Sequence, residues 1–243
     1  MAERVAVVTG ASSGIGEATA KALAAEGFAV ALAARREDRI NELAKEIGDQ
    51  ALAVPTDVAD PDSARALIEK TKSELGRVDV LVNNAGVMLL GPIMGADLEH
   101  WQRMVNVNVL GLLYCTHAAL PVMMEQGSGH IVNVSSVAGR IAALGSGVYN
   151  ATKWGVVDFS ESLRHEALNF GVRVTIVEPG FVETELQGHN ELPMVVEATE
   201  KYREEIGQVL QAEDIANAIL YAVTQPDYVS INELLVRPTK QRR

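Results

Sequence analysis

The chain predicts an α/β fold: a doubly wound parallel sheet of about seven strands with helices on both faces, in a single domain. Short apolar runs alternate with amphipathic segments from end to end, and strict strand–helix–strand alternation implies right-handed crossovers. A length of 243 residues suits one large domain of this kind. No linker, repeat or low-complexity segment divides it.

Residues 4–8 read as the first strand and 14–27 as the first helix. Strands follow at 29–34, 51–56 and 80–83, each bounded by Gly, Pro or Asp. Helices fall between them at 37–47 and 62–75, the second preceded by Pro61, whose missing N–H costs nothing at a helix start. A long helix over 98–125 leads to a strand at 130–134, and a helix over 148–170 to a strand at 173–177. The last pair is a helix at 212–224 and a strand at 233–236. One long connection leaves Pro179; loops of that length are more often functional than idle, so residues 180–205 are the expected lid over a substrate.

A net charge of −11 argues against a nucleic-acid surface, which needs clustered Lys and Arg. The basic tail at 240–243 reads as a frayed terminus. No stretch reads as apolar for long enough to span a bilayer, and the start MAERVAVVTG carries no secretory core, so a cytoplasmic protein is expected. Cys115 is the single cysteine, which excludes an internal disulfide, and the five histidines show no ligand spacing, so no metal is expected. Of these histidines only His189 falls in the lid, where it could touch substrate.

Chemistry concentrates at Ser136, Tyr149 and Lys153. Tyr149 and Lys153 are four apart and share one helix face. An ammonium held near a phenol favours the phenolate and draws its pKa down from about 10, giving a proton donor and acceptor usable near neutrality. Upstream, Thr9-Gly10-Ala11-Ser12-Ser13-Gly14-Ile15-Gly16 joins a strand to a helix. Glycines there permit a tight turn and close backbone approach to a pyrophosphate, which the helix N-terminus then holds.

Together these segments resemble the short-chain dehydrogenase/reductase family over essentially the whole chain. The resemblance rests on TGASSGIG at 9–16, Asp57, NNAG at 83–86, Asn108, Ser136, YNATK at 149–153 and Pro179-Gly180. It implies a Rossmann-type fold and a reversible hydride transfer in which Tyr149 exchanges a proton with the substrate oxygen. Ser136 would hold that oxygen; Lys153 would bond the nicotinamide ribose and depress the tyrosine pKa. Asn108 would kink its helix and position a water linked to Lys153. Ser135 lies one residue out of the family register, which selects Ser136.

For the cofactor, the resemblance assigns Gly10, Ser12, Ser13, Gly14, Ile15 and Gly16 to the phosphates, and Asp57 with Val58 to the adenine. Asn83 would line the adenosine side, Asn84, Ala85 and Gly86 would admit the dinucleotide, and Pro179, Gly180, Val182 and Thr184 would hold carboxamide and phosphates. Arg35-Arg36 stands where an acidic residue would bond the 2′-OH of NAD, so NADP(H) is expected, with Arg35 the better candidate and Ser13 a helper. Two cations at a helix N-terminus oppose its dipole unless an anion sits there. Glu183 and Glu185 read as solvated loop charges.

The substrate walls are expected at 87–90, 137–141 and in the lid, with Met88 and Phe181 among them. Arg140 could clamp a carboxylate or face solvent as a loop residue. Finer resemblance, through residues 85–92, 159–164, 184–186 and 237–239, is to the clavulanic-acid-type and 3-hydroxy acid (serine) dehydrogenase branch. The resemblance therefore implies an NADP(H)-dependent carbonyl–alcohol oxidoreductase acting on a small molecule. Its alternatives are a β-hydroxy acid dehydrogenase and a non-catalytic NADP-sensing regulator. It also implies a homodimer or homotetramer built on the helices at 98–125 and 148–170.

Overall fold

A computed structural model describes residues 4–242. Residues 1–3 of the expected strand-leading start and Arg243 of the basic tail lie outside the described residues. The strands are β1 (Val5–Thr9), β2 (Ala29–Ala34), β3 (Ala51–Pro55), β4 (Val80–Asn83), β5 (Gly129–Val134), β6 (Val172–Pro179) and β7 (Glu233–Val236). Every pairing is parallel, in the order β3-β2-β1-β4-β5-β6-β7. Strands β1 and β2 are buried at every residue, which is why they read as unbroken apolar runs rather than alternating ones. Two cores flank the sheet: one gathers Leu23, Leu32, Ile40 and Ile215, the other Leu67, Leu81, Met123 and Ile131.

The helices are α1 (Gly14–Ala25), α2 (Glu37–Ile47), α3 (Pro61–Leu75), α4 (Leu98–Val105), α5 (Gly111–Gln126), α6 (Gly147–Ala167), α7 (Pro193–Ile206) and α8 (Ala212–Val223). Helix α3 starts as its sequence dictates: Asp60 caps it through Asp62 N, and Pro61 takes the first turn. Order reverses between β1 and β4, where a crevice opens at the carboxyl ends of the strands. Thr9 fastens that point. Its hydroxyl donates to Val82 O (3.2 Å) and accepts from Asn84 N (3.0 Å) and Ala85 N (3.1 Å).

Four expectations change. The helix expected over 98–125 is α4 and α5 joined by a π-helical turn, Asn106–Leu110, which accommodates an extra residue around Asn108. By length and composition, residues Leu98–Gln126 are long and apolar enough to cross a membrane, contrary to the sequence reading. Here that stretch lays Leu112, Cys115, Ala119 and Met123 into the core. Helix α7 occupies much of the expected lid; Pro193 at its start and Gly207 after its end were legible signals. The tail, finally, is docked rather than frayed: Gln241 is buried, and its Oε1 accepts Phe181 N (2.8 Å).

His130 on β5 is buried, with Nε2 2.7 Å from Thr175 Oγ1 and Nδ1 unpartnered. Burial drives its pKa down to about 3 from 6.5. The unfolded chain therefore binds a proton below pH 6.5 that the folded chain refuses, so stability falls as pH drops through that range. Denaturant titrations should show a slope approaching ~1.4 kcal/mol per pH unit near pH 5 from this one group, and His130→Gln should flatten it.

Candidate active site

Ser136 follows the end of β5 and caps the 3-10 turn Val137–Gly139, its Oγ accepting Ala138 N at 3.1 Å. Its hydroxyl lies close enough to Tyr149, which α6 presents from its first turn, to favour the phenolate. Lys153 lies one turn on, with Nζ 5.9 Å from the Tyr149 ring centroid and donating to Val134 O at 2.9 Å. Ser135, just past the end of β5, also borders the cleft, but its Oγ donates to Lys153 O at 2.9 Å. Thus one serine meets the phenol while its neighbour seats the lysine's helix turn.

The electrostatics differ from the sequence expectation. Tyr149 is pushed up to about 12, not down: burial raises it, and the nearby Ser136 hydroxyl offsets that only in part. Burial also lowers Lys153 to about 8. Both groups are desolvated together, and the ammonium spends its nearest hydrogen bond on Val134 O rather than on the phenol. Tyr149 is therefore a protonated acid across neutral pH, and Lys153 exchanges protons close to it.

Asn108 sits in the π turn, buried, and clasps one residue: Oδ1 accepts Val87 N (2.8 Å) and Nδ2 donates to Val87 O (2.9 Å). Nδ2 also reaches Thr152 Oγ1 at 3.2 Å. Its side chain thus ties the loop after β4 to α6. Thr152 was not singled out in the sequence; its meaning depends on a partner 44 residues away.

A single cleft connects this cluster to the glycine-rich turn. Gly10, Ser12, Ser13 and Ile15 line its far end, with Arg35, Arg36, Asp57 and Val58 beside them. Asn84, Ala85 and Gly86 form the middle, while Ser136, Tyr149 and Lys153 form the near end. Pro179, Gly180, Val182 and Thr184 close it from the β6 side. Gly14 and Gly16 lie behind the lining; a methyl on Gly16 would collide with the Gly10 carbonyl, so close packing of turn on helix requires glycine there. The cleft also takes in Glu185, Gln187 and His189 of the lid.

Several expected site residues lie elsewhere. Asn83 is buried behind the cleft, its amide donating to Thr116 Oγ1 (3.0 Å) and Asn133 Oδ1 (2.9 Å). Met88 packs with Val87, Leu89, Met104 and Tyr149 rather than lining the cleft. Phe181 turns towards Tyr202, ring centroids 6.2 Å apart, and anchors the lid. Arg140 neither clamps a cleft ligand nor stands free: Nε donates to fully buried Glu178 (2.6 Å), and the guanidinium also pairs Glu233. A buried carboxylate at the end of β6 demanded that cation. Arg36, not Arg35, meets the glycine-rich turn, donating to Ser12 Oγ (3.0 Å) and Ser13 Oγ (2.6 Å). Nor are the two glutamates idle: Glu183 pairs Arg203, while Glu185 pairs Arg36 and Arg39. Among the described residues no cluster of three or more His, Cys, Asp or Glu could hold a metal.

The fold is of the α/β dinucleotide-binding class. The short chain dehydrogenase family model matches residues 4–193, and the chain belongs to that family. An uncharacterized oxidoreductase of Staphylococcus saprophyticus is 41% identical over 243 residues, covering 98% of this chain and 97% of its own. The glycine betaine reductase of Emericella nidulans is 44% identical over 97% of this chain, which spans only 19% of that longer protein. Among solved structures, a closed serine dehydrogenase complexed with NADP+ is 35% identical with a TM-score of 0.92, covering 98% of this chain and 96% of that one. A 3-ketoacyl-(acyl-carrier-protein) reductase from Brucella melitensis, complexed with NADH, is 30% identical with a TM-score of 0.88, at 98% coverage of both.

Two substitutions separate the neighbouring serines. Ser136→Ala should abolish most turnover with little change in stability, whereas Ser135→Ala should cost about 1 kcal/mol in denaturant unfolding. Arg140→Ala should leave carboxylate preference untouched yet destabilise by roughly 2 kcal/mol, less than a fully buried pair because Arg140 reaches solvent.

Proposed function

We propose that this chain is an NADP(H)-dependent oxidoreductase that interconverts a carbonyl and an alcohol, with Tyr149 as the proton donor in reduction. The observation that carries the reading is one continuous cleft holding Ser136, Tyr149 and Lys153 at one end, and Arg36 bonded to Ser12 and Ser13 at the other. The fit to a 2′-phosphorylated dinucleotide rests on that cationic end: a guanidinium and two hydroxyls converge there, and the end of β2 carries no acidic residue for a 2′-hydroxyl. A dinucleotide held by this cleft would supply hydride to the carbonyl carbon at the Tyr149 end, or accept it in the reverse direction.

This chain's residues do the remaining work. Ser136 Oγ and Tyr149 Oη hydrogen-bond the substrate oxygen, and the negative charge developing on it is stabilised by both donors. Tyr149, protonated at neutral pH, gives up its proton. Lys153 re-protonates it and, by its charge, favours the phenolate at the moment it forms. Asn108 contributes by holding Val87 and Thr152, and so the wall beside Tyr149. Residues 180–205 act as the lid of this single-domain enzyme, drawn against the loop after β4 by Asn190 Oδ1, which accepts Leu90 N at 2.6 Å.

The β-hydroxy acid alternative has support in the serine dehydrogenase neighbour, but Arg140 is already committed to Glu178 and Glu233. Another cation would have to hold the carboxylate. The sensing-regulator alternative gains nothing from a site that keeps its tyrosine, lysine and serine in register. Self-association as a homodimer or homotetramer fits the exposed Leu98, Val105 and Trp154 on α4 and α6.

Tyr149→Phe should lower NADPH-dependent reduction of an aldehyde and ketone panel by about 10²–10⁴-fold with cofactor affinity retained. Unchanged turnover would overturn the mechanism. In the wild type, reduction should decline as pH rises past about 8, where Lys153 loses its proton.

A further inference from the structure

The anion that the sequence demands at the start of α2 is supplied by the chain itself. Arg36 is the N-cap of α2 and Arg39 lies in its first turn, both unfavourable against the helix dipole. Glu185, distant in sequence, reaches across the cleft and divides its carboxylate between them: Oε2 accepts Arg36 Nη1 at 2.7 Å and Oε1 accepts Arg39 Nη1 at 2.6 Å. The same Arg36 holds Ser12 and Ser13 through its other nitrogens. Glu185 itself opens the 3-10 turn Glu185–His189, which is capped by Thr184 and carries the lid residues Gln187 and His189 into the cleft.

An isolated ion pair at this exposure would mean little. Here one carboxylate ties the lid to the start of α2, whose Arg36 in turn holds the glycine-rich turn. All three line the space the dinucleotide would fill.

From this geometry we infer that Glu185 is a specificity-determining latch: an internal anion that occupies Arg36 and Arg39 until a ligand 2′-phosphate displaces it, coupling phosphate recognition to release of the lid turn. The inference rests on the NADP(H) reading above. A phosphate carries more charge and more acceptor oxygens than a carboxylate, so it can take both arginines from Glu185. A dinucleotide without that phosphate leaves the latch shut.

The test uses adenosine 2′,5′-bisphosphate and ADP as probes, which carry no nicotinamide and need no turnover. Calorimetry on the full chain should show Glu185→Gln binding the bisphosphate about fivefold tighter or more than wild type, with ADP affinity nearly unchanged. In wild type, hydrogen exchange at residues 186–189 should rise on adding the bisphosphate and stay constant with ADP, a readout that requires no variant. Equal tightening for both probes, or none for the bisphosphate, overturns the latch while the cofactor reading stands, provided wild type still prefers the bisphosphate and Arg36→Ala loses that preference. Equal affinity of wild type for both probes sinks the cofactor reading, and the latch with it.

Discussion

The molecule depends first on the seam between β1 and β4, where chain order reverses and the sheet's two halves diverge. Reversal leaves backbone amides at the strand ends without ladder partners, and buried amides must be paired. Thr9 pairs them: one buried hydroxyl satisfies Val82 O, Asn84 N and Ala85 N, and its carbonyl accepts Asn84 Nδ2 at 2.9 Å. Gly10 and the glycine-rich turn leave from that knot on one side, Ala85 and Gly86 on the other. The floor of the cleft is thereby set by a hydrogen-bonding requirement of the fold, before any ligand is considered.

Beneath the catalytic end lies a second polar layer. Asn83 on β4 donates to Asn133 on β5, with which it is in register, and Asn133 donates to Ser160 on α6 at 2.8 Å. Polar side chains inside a parallel sheet are costly unless paired, and the amide donors of this layer are paired across two strands and a helix, while Asn83 Oδ1 is left without a partner. The network fixes α6 against the sheet, while Ser135 and Val134 fix its Lys153 turn. The clasp of Asn108 on Val87 and Thr152 completes the same frame from the π turn. The phenol and ammonium are buried together inside that hydrogen-bonded frame.

The Arg140–Glu178 pair shows how a charged residue beside a catalytic serine can serve the scaffold. It ties the end of the Ser136 turn to β6, and through Glu233 to β7. Asn83 teaches the same lesson in reverse: it belongs to a recognisable strand-end motif, yet only its neighbours Asn84, Ala85 and Gly86 face the cleft. Asn83 is the last residue of β4 and its side chain is held by Thr116 and Asn133, whereas the next three residues lie beyond the strand end.

The strands, most helices and the Ser136, Tyr149 and Lys153 cluster were legible because each depends on local pattern: apolar periodicity, turn residues, and a four-residue helix spacing. The sequence by itself determined the parallel α/β fold, the glycine-rich turn at its first crossover and the need for an anion near Arg35-Arg36. Only the tertiary structure decided that Arg36 rather than Arg35 meets Ser12 and Ser13, that Glu185 is the anion, that Arg140 is spoken for by Glu178, and that Tyr149 is pushed up to about 12. The physical reason is common to all four. Ion pairing and desolvation depend on which distant segments are brought within a few ångströms, and no local spacing encodes that distance.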